Sequence, residues 1–481
     1  MTKGGQSSYD AVVVGSGPNG LAAAVTLAEA GLSVLVVEGK GTPGGGVRSA
    51  DVTLSGFVHD LCSAVHPLGS ISPFFRSLPL ADHGLEWVQP RYPLAHPLDG
   101  GRAVVQDRSI TETMERLGSD GQKWWSLIGG TVQNSDLLFN DLLGPLPWRS
   151  KRPFTLARFG WYGMQPASWL AKRHFKTEEA RALFAGHAAH SIQPLQNFGT
   201  GAFGMMLATS AHVAGWPVAM GGSQKIADAL VSYLESLGGA LQCKLSVKGF
   251  NQLPRAKAYL FDTSPRAMVR ICGLRLPPGY VRRLNSFRYG PGVFKIDLAL
   301  KQAIPWQNPE CCEAGTVHVG GTLEEISASE KACWRGQHIE RPFVLVAQQS
   351  VCDPTRAPEG MHTCWAYCHV PHGSDMDMTD AILNQIERFA PGFRDTIIAT
   401  FKASASDLET YNPNYVGGDI VGGVQDLTQL FSRPIARMDP YSTPAKDIFL
   451  CSSSTPPGPG VHGMCGYHAA KSVLKKVFNK G

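Results

Sequence analysis

The chain has 481 residues, 43% of them apolar and 17% charged, with a formal net charge of +5. That is the composition of a folded globular protein, and it excludes a disordered or fibrous chain. The small positive balance comes with no long basic tract and no zinc pattern, which excludes nucleic acid as a partner; the length suggests about three domains at roughly 150 residues each.

The 11 cysteines run from Cys62 to Cys465 without a C-x-x-C, Cys364 and Cys368 standing one residue too far apart. An odd, scattered set reads as reduced thiols in a cytoplasmic setting, with Cys311 and Cys312 a plain adjacent pair. The start, Met1 to Asp10, is polar and lacks an apolar signal core. No run of about 18 apolar residues crosses a bilayer as a helix. Peripheral contact with the inner membrane face stays open.

The first elements carry the strongest signal. Ala11, Val12, Val13 and Val14 read as a buried parallel strand. Gly15-Ser16-Gly17-Pro18-Asn19-Gly20 follows at once, then an Ala-rich helix over 21–30 with Gly31 as its stop. A second strand over 34–37 ends on Glu38. Gly15 makes the tight turn, Gly17 admits a pyrophosphate, and Gly20 lets helix and strand pack closely. The phosphates rest on unpaired amides at the helix start. Glu38, 18 residues past Gly20, can accept from ribose hydroxyls, and its charge disfavours a 2′-phosphate.

Gly39 and Lys40 lead to a second glycine cluster, Gly44-Gly45-Gly46-Val47-Arg48. This region resembles FAD-binding proteins of the glutathione-reductase type, in which a Gly-Gly segment at this place lies along the diphosphate with an Arg nearby. The resemblance implies FAD rather than NAD. It would be held by Gly15, Gly17, Pro18, Asn19, Gly20, Glu38, Gly39, Lys40, Gly45, Gly46, Val47 and Arg48.

From 142 to 177 no acidic residue occurs, while Arg149, Lys151, Arg152, Arg158, Lys172, Arg173 and Lys176 interleave with Trp148, Phe154, Phe159, Trp161, Tyr162, Trp169 and Phe175. Cations with aromatic rings suit an anionic membrane surface; the alternative is a solvated basic face with its rings turned inward. Gly199-Thr200-Gly201-Ala202-Phe203-Gly204 repeats the glycine pattern without a strand before it, and reads as a loop or a helix-packing coincidence. The apolar face over 223–237 predicts a helix capped by Ser223 and stopped by Gly238. Strands are expected at 245–247 and 258–262, with too few residues between them for an antiparallel meander. The strand 447–451, a glycine-rich loop and a helix from about 467 to 478 close the chain. Free amides at Gly463, Met464 and Cys465 would face the negative charge that a reduced flavin develops.

Residues 10–67, 215–222, 288–295, 353–360, 369–371 and 454–470 together resemble the phytoene desaturase-like family of carotenoid and retinoid oxidoreductases. The likeness is strongest to the branch of pyridine nucleotide-disulfide oxidoreductase domain-containing protein 2, and it runs nearly the full length. It implies an α/β fold with a Rossmann-like FAD domain from 1–75, 210–290 and 435–481. A substrate domain of mixed sheet plus helices would come from 76–209 and 291–434. Val247 would bond the adenine through its backbone.

The substrate implied is an apolar polyene or polyprenyl compound exchanging a hydride with flavin, in desaturation, saturation or isomerisation, with a quinone or oxygen as electron acceptor. No redox C-x-x-C follows the FAD strand, so disulfide reduction is set aside. Alternatives are a flavin amine oxidase, with Tyr467 as one wall of an aromatic cage, and a flavin-bearing scaffold with little turnover. Acid–base candidates are Asp60 and His66, in the segment the family places beside the isoalloxazine, and Tyr467; each also reads as structural. His318, His362, His369 and His372 lack metal-ligand spacing, so no metal is inferred.

Overall fold

The computed structural model describes residues 8–145 and 150–480. Trp148 and Arg149 of the basic-aromatic stretch lie outside them, as does the start up to Ser7.

Five parallel strands form one sheet in the order Ile448–Leu450, Arg255–Phe261, Ser8–Val14, Val34–Val37, Ala240–Gln242. Alternate residues of the first strand enter two different cores. Ala11 and Val13 pack under the helices Pro18–Glu29, Gln224–Ser236 and Met464–Val477, while Val12 and Val14 meet Met268, Ile271 and Leu284 on the other face. Burial on both faces explains why the strand is an unbroken Val run. The order of strand addition reverses beside Ser8–Val14, with Val34–Val37 on one side and Arg255–Phe261 on the other, the point at which such sheets open a ligand crevice.

The expected boundaries shift in three places. The first helix begins at Pro18, three residues before Leu21, because proline lacks only an amide that would be unpaired there anyway. No strand forms over 245–247. The edge strand is Ala240–Gln242, and Leu245 merely donates its amide to Glu38 O at 2.8 Å. Only the turn Phe250–Gln252 fits before Arg255–Phe261. The last helix begins at Met464.

The second sheet has seven strands in the order Ile397–Ala403, Gly292–Leu300, His362–Val370, Val344–Ala347, Ala314–Val319, Tyr92–Leu98, Arg102–Gln106. It is mixed, since only Ala314–Val319 and Tyr92–Leu98 run parallel. One face, with Ile296, Val317, Val346 and Ala366, packs on the helix Thr379–Phe389. The other face carries Lys295, Thr316, Leu345, Trp365 and Tyr367. The second glycine pattern is a helix-packing device: Gly199 caps the helix Thr200–Ala214 at φ 89°, and a Cβ on Gly204 would lie 2.8 Å from the Phe184 ring.

Candidate active site

A cavity of about 660 Å³ joins the two sheets. Its cofactor end is the crevice at the carboxyl ends of Ser8–Val14 and Val34–Val37. Gly15, Gly17, Pro18, Asn19, Glu38, Gly39, Lys40, Gly45, Gly46, Arg48 and Val247 all line it. Gly20 and Val47 stand behind the wall. A Cβ on Gly20 would fall 2.1 Å from Gly15 O, so this glycine serves helix–strand packing, while Val47 is fully buried in the core.

Glu38 accepts from the Ser16 amide at 3.1 Å, the Ser16 hydroxyl at 2.6 Å and the Lys40 amide at 2.8 Å. Arg48 pairs with it at 3.1 Å and donates to Thr42 O and Gly45 O, tying the second glycine cluster to the end of the strand.

These residues fit a dinucleotide. Asn19 Oδ1, Thr263 Oγ1, Tyr411 OH and both polar atoms of Gln425 are buried without a partner, and all five atoms belong to residues lining the cavity. Such orphans are rare unless a ligand pairs with them. A residue that sequence reading missed is Asp262, at the end of Arg255–Phe261. It accepts from the Gly20 amide at 2.9 Å, and its oxygen would lie 2.6 Å from a Cβ on Gly17. Burial pushes its carboxyl up to about 7, with Glu38 adding to the rise against the pull of the Gly20 and Gly17 amides. A carboxyl that is half neutral near pH 7 tolerates a diphosphate beside it.

At the C-terminal loop the wall is formed by Pro459, Gly460 and Val461; Gly463, Met464 and Cys465 do not line it. Their free amides were expected to meet the flavin. Instead the chain turns at Gly458 and Gly460, with φ of 109° and 126°, before the helix begins. The Met464 amide donates to His462 Nδ1 at 3.0 Å, and the Cys465 thiol to Gly458 O at 3.3 Å.

The three acid–base candidates part company. Asp60 is buried off the wall, 2.9 Å from Arg356, and accepts from Ser49 Oγ at 2.7 Å and the Ser223 amide at 2.8 Å. Burial alone would raise its carboxyl, but Arg356 and these bonds outweigh it and hold it below the usual range. It is a fixed charge joining segments far apart in sequence. His66 does line the cavity. Its Nε2 lies 2.8 Å from Ser223 Oγ, and burial pushes it down to about 4, so it is neutral at pH 7. Ser223 therefore spends its hydroxyl on His66 and does not cap its helix as expected. The Tyr467 ring packs 5.5 Å from Phe74, away from the wall.

The substrate end is walled by groups that motif reading passed over. Lys295 is buried and paired with Asp297, and its ammonium sits 5.7 Å from the Trp365 ring centroid. Burial pushes the Asp297 carboxyl up to about 6 against the attraction of Lys295. Trp365 and Tyr367 meet edge to face at 5.1 Å, and Trp216, His190, Ile192, Phe203, Met206 and Leu207 close the opposite side. For the strand residues among them the only signal in the sequence is alternation, which reads equally as core.

A family pattern described as an NAD(P)-binding Rossmann-like domain matches residues 13–78. The chain is 24% identical to pyridine nucleotide-disulfide oxidoreductase domain-containing protein 2 of Rattus norvegicus, over 98% of this chain and 94% of the relative. It is also 24% identical to the neurosporene-forming phytoene desaturase of Cereibacter sphaeroides, over 95% of this chain and 92% of that one. The fold matches putrescine oxidase in its putrescine complex at a TM-score of 0.60 and 18% identity, over 97% of this chain and 99% of that one. The resemblance read from the separate motifs thus extends along the whole chain.

Proposed function

We propose that this chain, an FAD-dependent oxidoreductase by its fold, its cofactor cradle and its relatives, acts on the carbon skeleton of an apolar polyene or polyprenyl substrate. The observation that carries this reading is the wall at the substrate end: Trp216, Phe203, Met206, Leu207, Leu345 and Trp365 give the cavity a mainly apolar lining there. FAD, when bound, supplies hydride acceptance or donation. The chain's own part is to hold the skeleton flat between aromatic faces and to exclude water. Lys295 places a positive charge at the wall, and His66 stays neutral and keeps its ring fixed through Ser223.

A delivery route supports the reading. No helix among the described residues is long and apolar enough to cross a membrane. Phe154, Trp161 and Trp169 are nevertheless 90%, 72% and 47% exposed beside Arg152, Arg158 and Arg173, while Phe159 and Phe175 turn inward. Exposed rings among cations suit the face of an anionic bilayer. The helix Thr200–Ala214 packs against this surface helix, Pro153–Gly163, and supplies Phe203, Met206 and Leu207 to the cavity wall.

The test is anaerobic absorbance of FAD-loaded protein mixed with liposomes that carry polyenes or polyprenyl compounds. Flavin bleaching with a changed polyene spectrum is the expected result, and a changed polyene with oxidised flavin means isomerisation. If neither spectrum moves, the apolar-substrate reading fails. A second reading, amine oxidation, draws on the Trp365–Tyr367 pair, two rings that could flank a small amine. Rapid bleaching by amines alone would replace the first reading with the second.

A further inference from the structure

The sheet face beneath the substrate end is not purely apolar. Strand register sets Thr316 and Trp365 in one row, each opposite Ala347 from its own side. Both line the cavity, and they are 0% and 6% exposed. Neither Thr316 Oγ1 nor Trp365 Nε1 has a hydrogen-bond partner among the described residues. A buried indole N–H or hydroxyl seldom stays unpaired in a working protein.

A third group lines the same cavity. His190, on the cavity wall, has its Nε2 2.9 Å from Nε2 of His318, which lies two residues beyond Thr316. Its Nδ1 has no partner among the described residues. The direction of the His190–His318 bond follows from what the other ring nitrogen of His318 meets. His318 Nδ1 is buried without a partner, and a Cβ on Gly186 would sit 2.5 Å from it. If His190 were the donor, neutral His318 would carry its own proton at that sealed nitrogen. A buried unpaired N–H is rarer than a buried unpaired acceptor. His318 therefore donates, and His190 keeps its proton on Nδ1. Burial pushes His190 down to about 3, so it stays uncharged at pH 7. The nearby charge of Lys295 is matched by Asp297.

We propose that Trp365 Nε1, Thr316 Oγ1 and His190 Nδ1 form a neutral donor site for an uncharged oxygen of the substrate, a carbonyl or a hydroxyl. The inference rests on the apolar-substrate reading and narrows it, from a pure hydrocarbon to an oxygenated polyene or polyprenyl compound. No carboxylate is called for, since no unmatched positive charge faces the row. A protonated amine is not called for either, since an ammonium cannot accept and Trp365 can only donate.

The test uses FAD-loaded full-length protein and three ligands of equal chain length: a polyprenyl aldehyde, the matching alcohol and the matching hydrocarbon. Binding is followed by the perturbation of the flavin absorbance band. The aldehyde and alcohol are expected to bind on the order of tenfold to a hundredfold more tightly than the hydrocarbon. Trp365→Phe and His190→Phe should each reduce that preference, the ratio of oxygenated-ligand to hydrocarbon affinity, by about tenfold. Thr316→Val, nearly isosteric, guards against misfolding, and an unchanged flavin spectrum certifies each variant. Equal binding of all three ligands overturns the donor site and leaves the apolar-substrate reading standing. A preference that survives all three variants also overturns it. If none of the three ligands binds, the apolar-substrate reading falls and the donor site falls with it.

Discussion

At the cofactor end one stretch, Val14 to Arg48, supplies the glycine-rich backbone of the wall, joined by Val247, Asp262, Thr263, Tyr411 and Gln425. At the substrate end the wall is large side chains from strands far apart in sequence, among them Lys295, Thr316, Leu345 and Trp365. The first end recognises a ligand through amides whose positions follow from a single turn, so it tolerates almost no added atom. The second recognises through shape and a few polar atoms held by strand register, so it can be altered one side chain at a time. The cofactor is thus set by a rigid local motif, and the substrate by an adjustable surface.

The sharpest attempt to break this contrast is Gly20→Ala. Its Cβ would lie 2.1 Å from Gly15 O, a backbone atom that cannot yield. Loss of FAD is expected, with destabilisation at or above the top of the roughly 1–3 kcal/mol range of overpacking. Thermal melts and bound flavin absorbance would show it; normal FAD loading would mean that the cofactor end is not backbone-limited. A substrate-end change of similar size, Leu345→Val, should leave FAD content untouched.

Next in size is the ion pair that ties the two halves together. Arg356→Met leaves Asp60 buried and unpaired, at an expected cost of about 3–5 kcal/mol. Asp60→Asn should likewise lower the denaturation midpoint. A stable, FAD-loaded Asp60→Asn protein without turnover would instead make Asp60 an acid–base residue.

Asp262 gives the cofactor end a pH dependence. Its folded pKa is raised from 3.8 to about 7, so its contribution to stability is fully present below about pH 4 and is lost as pH rises through 7. Against wild type, Asp262→Asn should flatten the fall in stability between those values, a difference on the order of 2–4 kcal/mol. The same variant should remove any weakening of FAD binding above pH 7. Identical pH profiles for the two proteins would show that the carboxyl is ionised throughout.

The smallest effect per residue is expected at the exposed face. Neutralising Lys151, Arg152, Lys172 and Arg173 should weaken sedimentation with anionic liposomes by up to about 1 kcal/mol per charge. The Lys172 share should be smaller, because Glu324 already lies 2.9 Å from it. Unchanged sedimentation would remove the membrane route.

From Ala11 to Arg48 the sequence by itself determined strand, turn, helix and ligand edge, because a tight turn, a close approach and a close packing are demands that one βαβ unit expresses in glycine spacing. The start at Pro18 and the missing strand over 245–247 were beyond it, since both depend on which backbone groups find partners nearby. Which peptide of the loop 452–466 reaches the cavity was decided by the turns at Gly458 and Gly460 and by the packing of Met464 beneath the first helix. Asp60 and Tyr467 read equally as chemistry or structure in the sequence, and the fold sets both off the cavity wall, in an ion pair and in ring packing, because a side chain's surroundings are not written in its neighbours along the chain. Trp365, Thr316 and His190 carried no site reading, and Lys295 stood only at the end of the resemblance segment 288–295. Only the pairing of four strands put Trp365, Thr316 and Lys295 on one face, and only the helix laid across that face brought His190 to His318; such register is set by contacts between residues many positions apart, which no local spacing records.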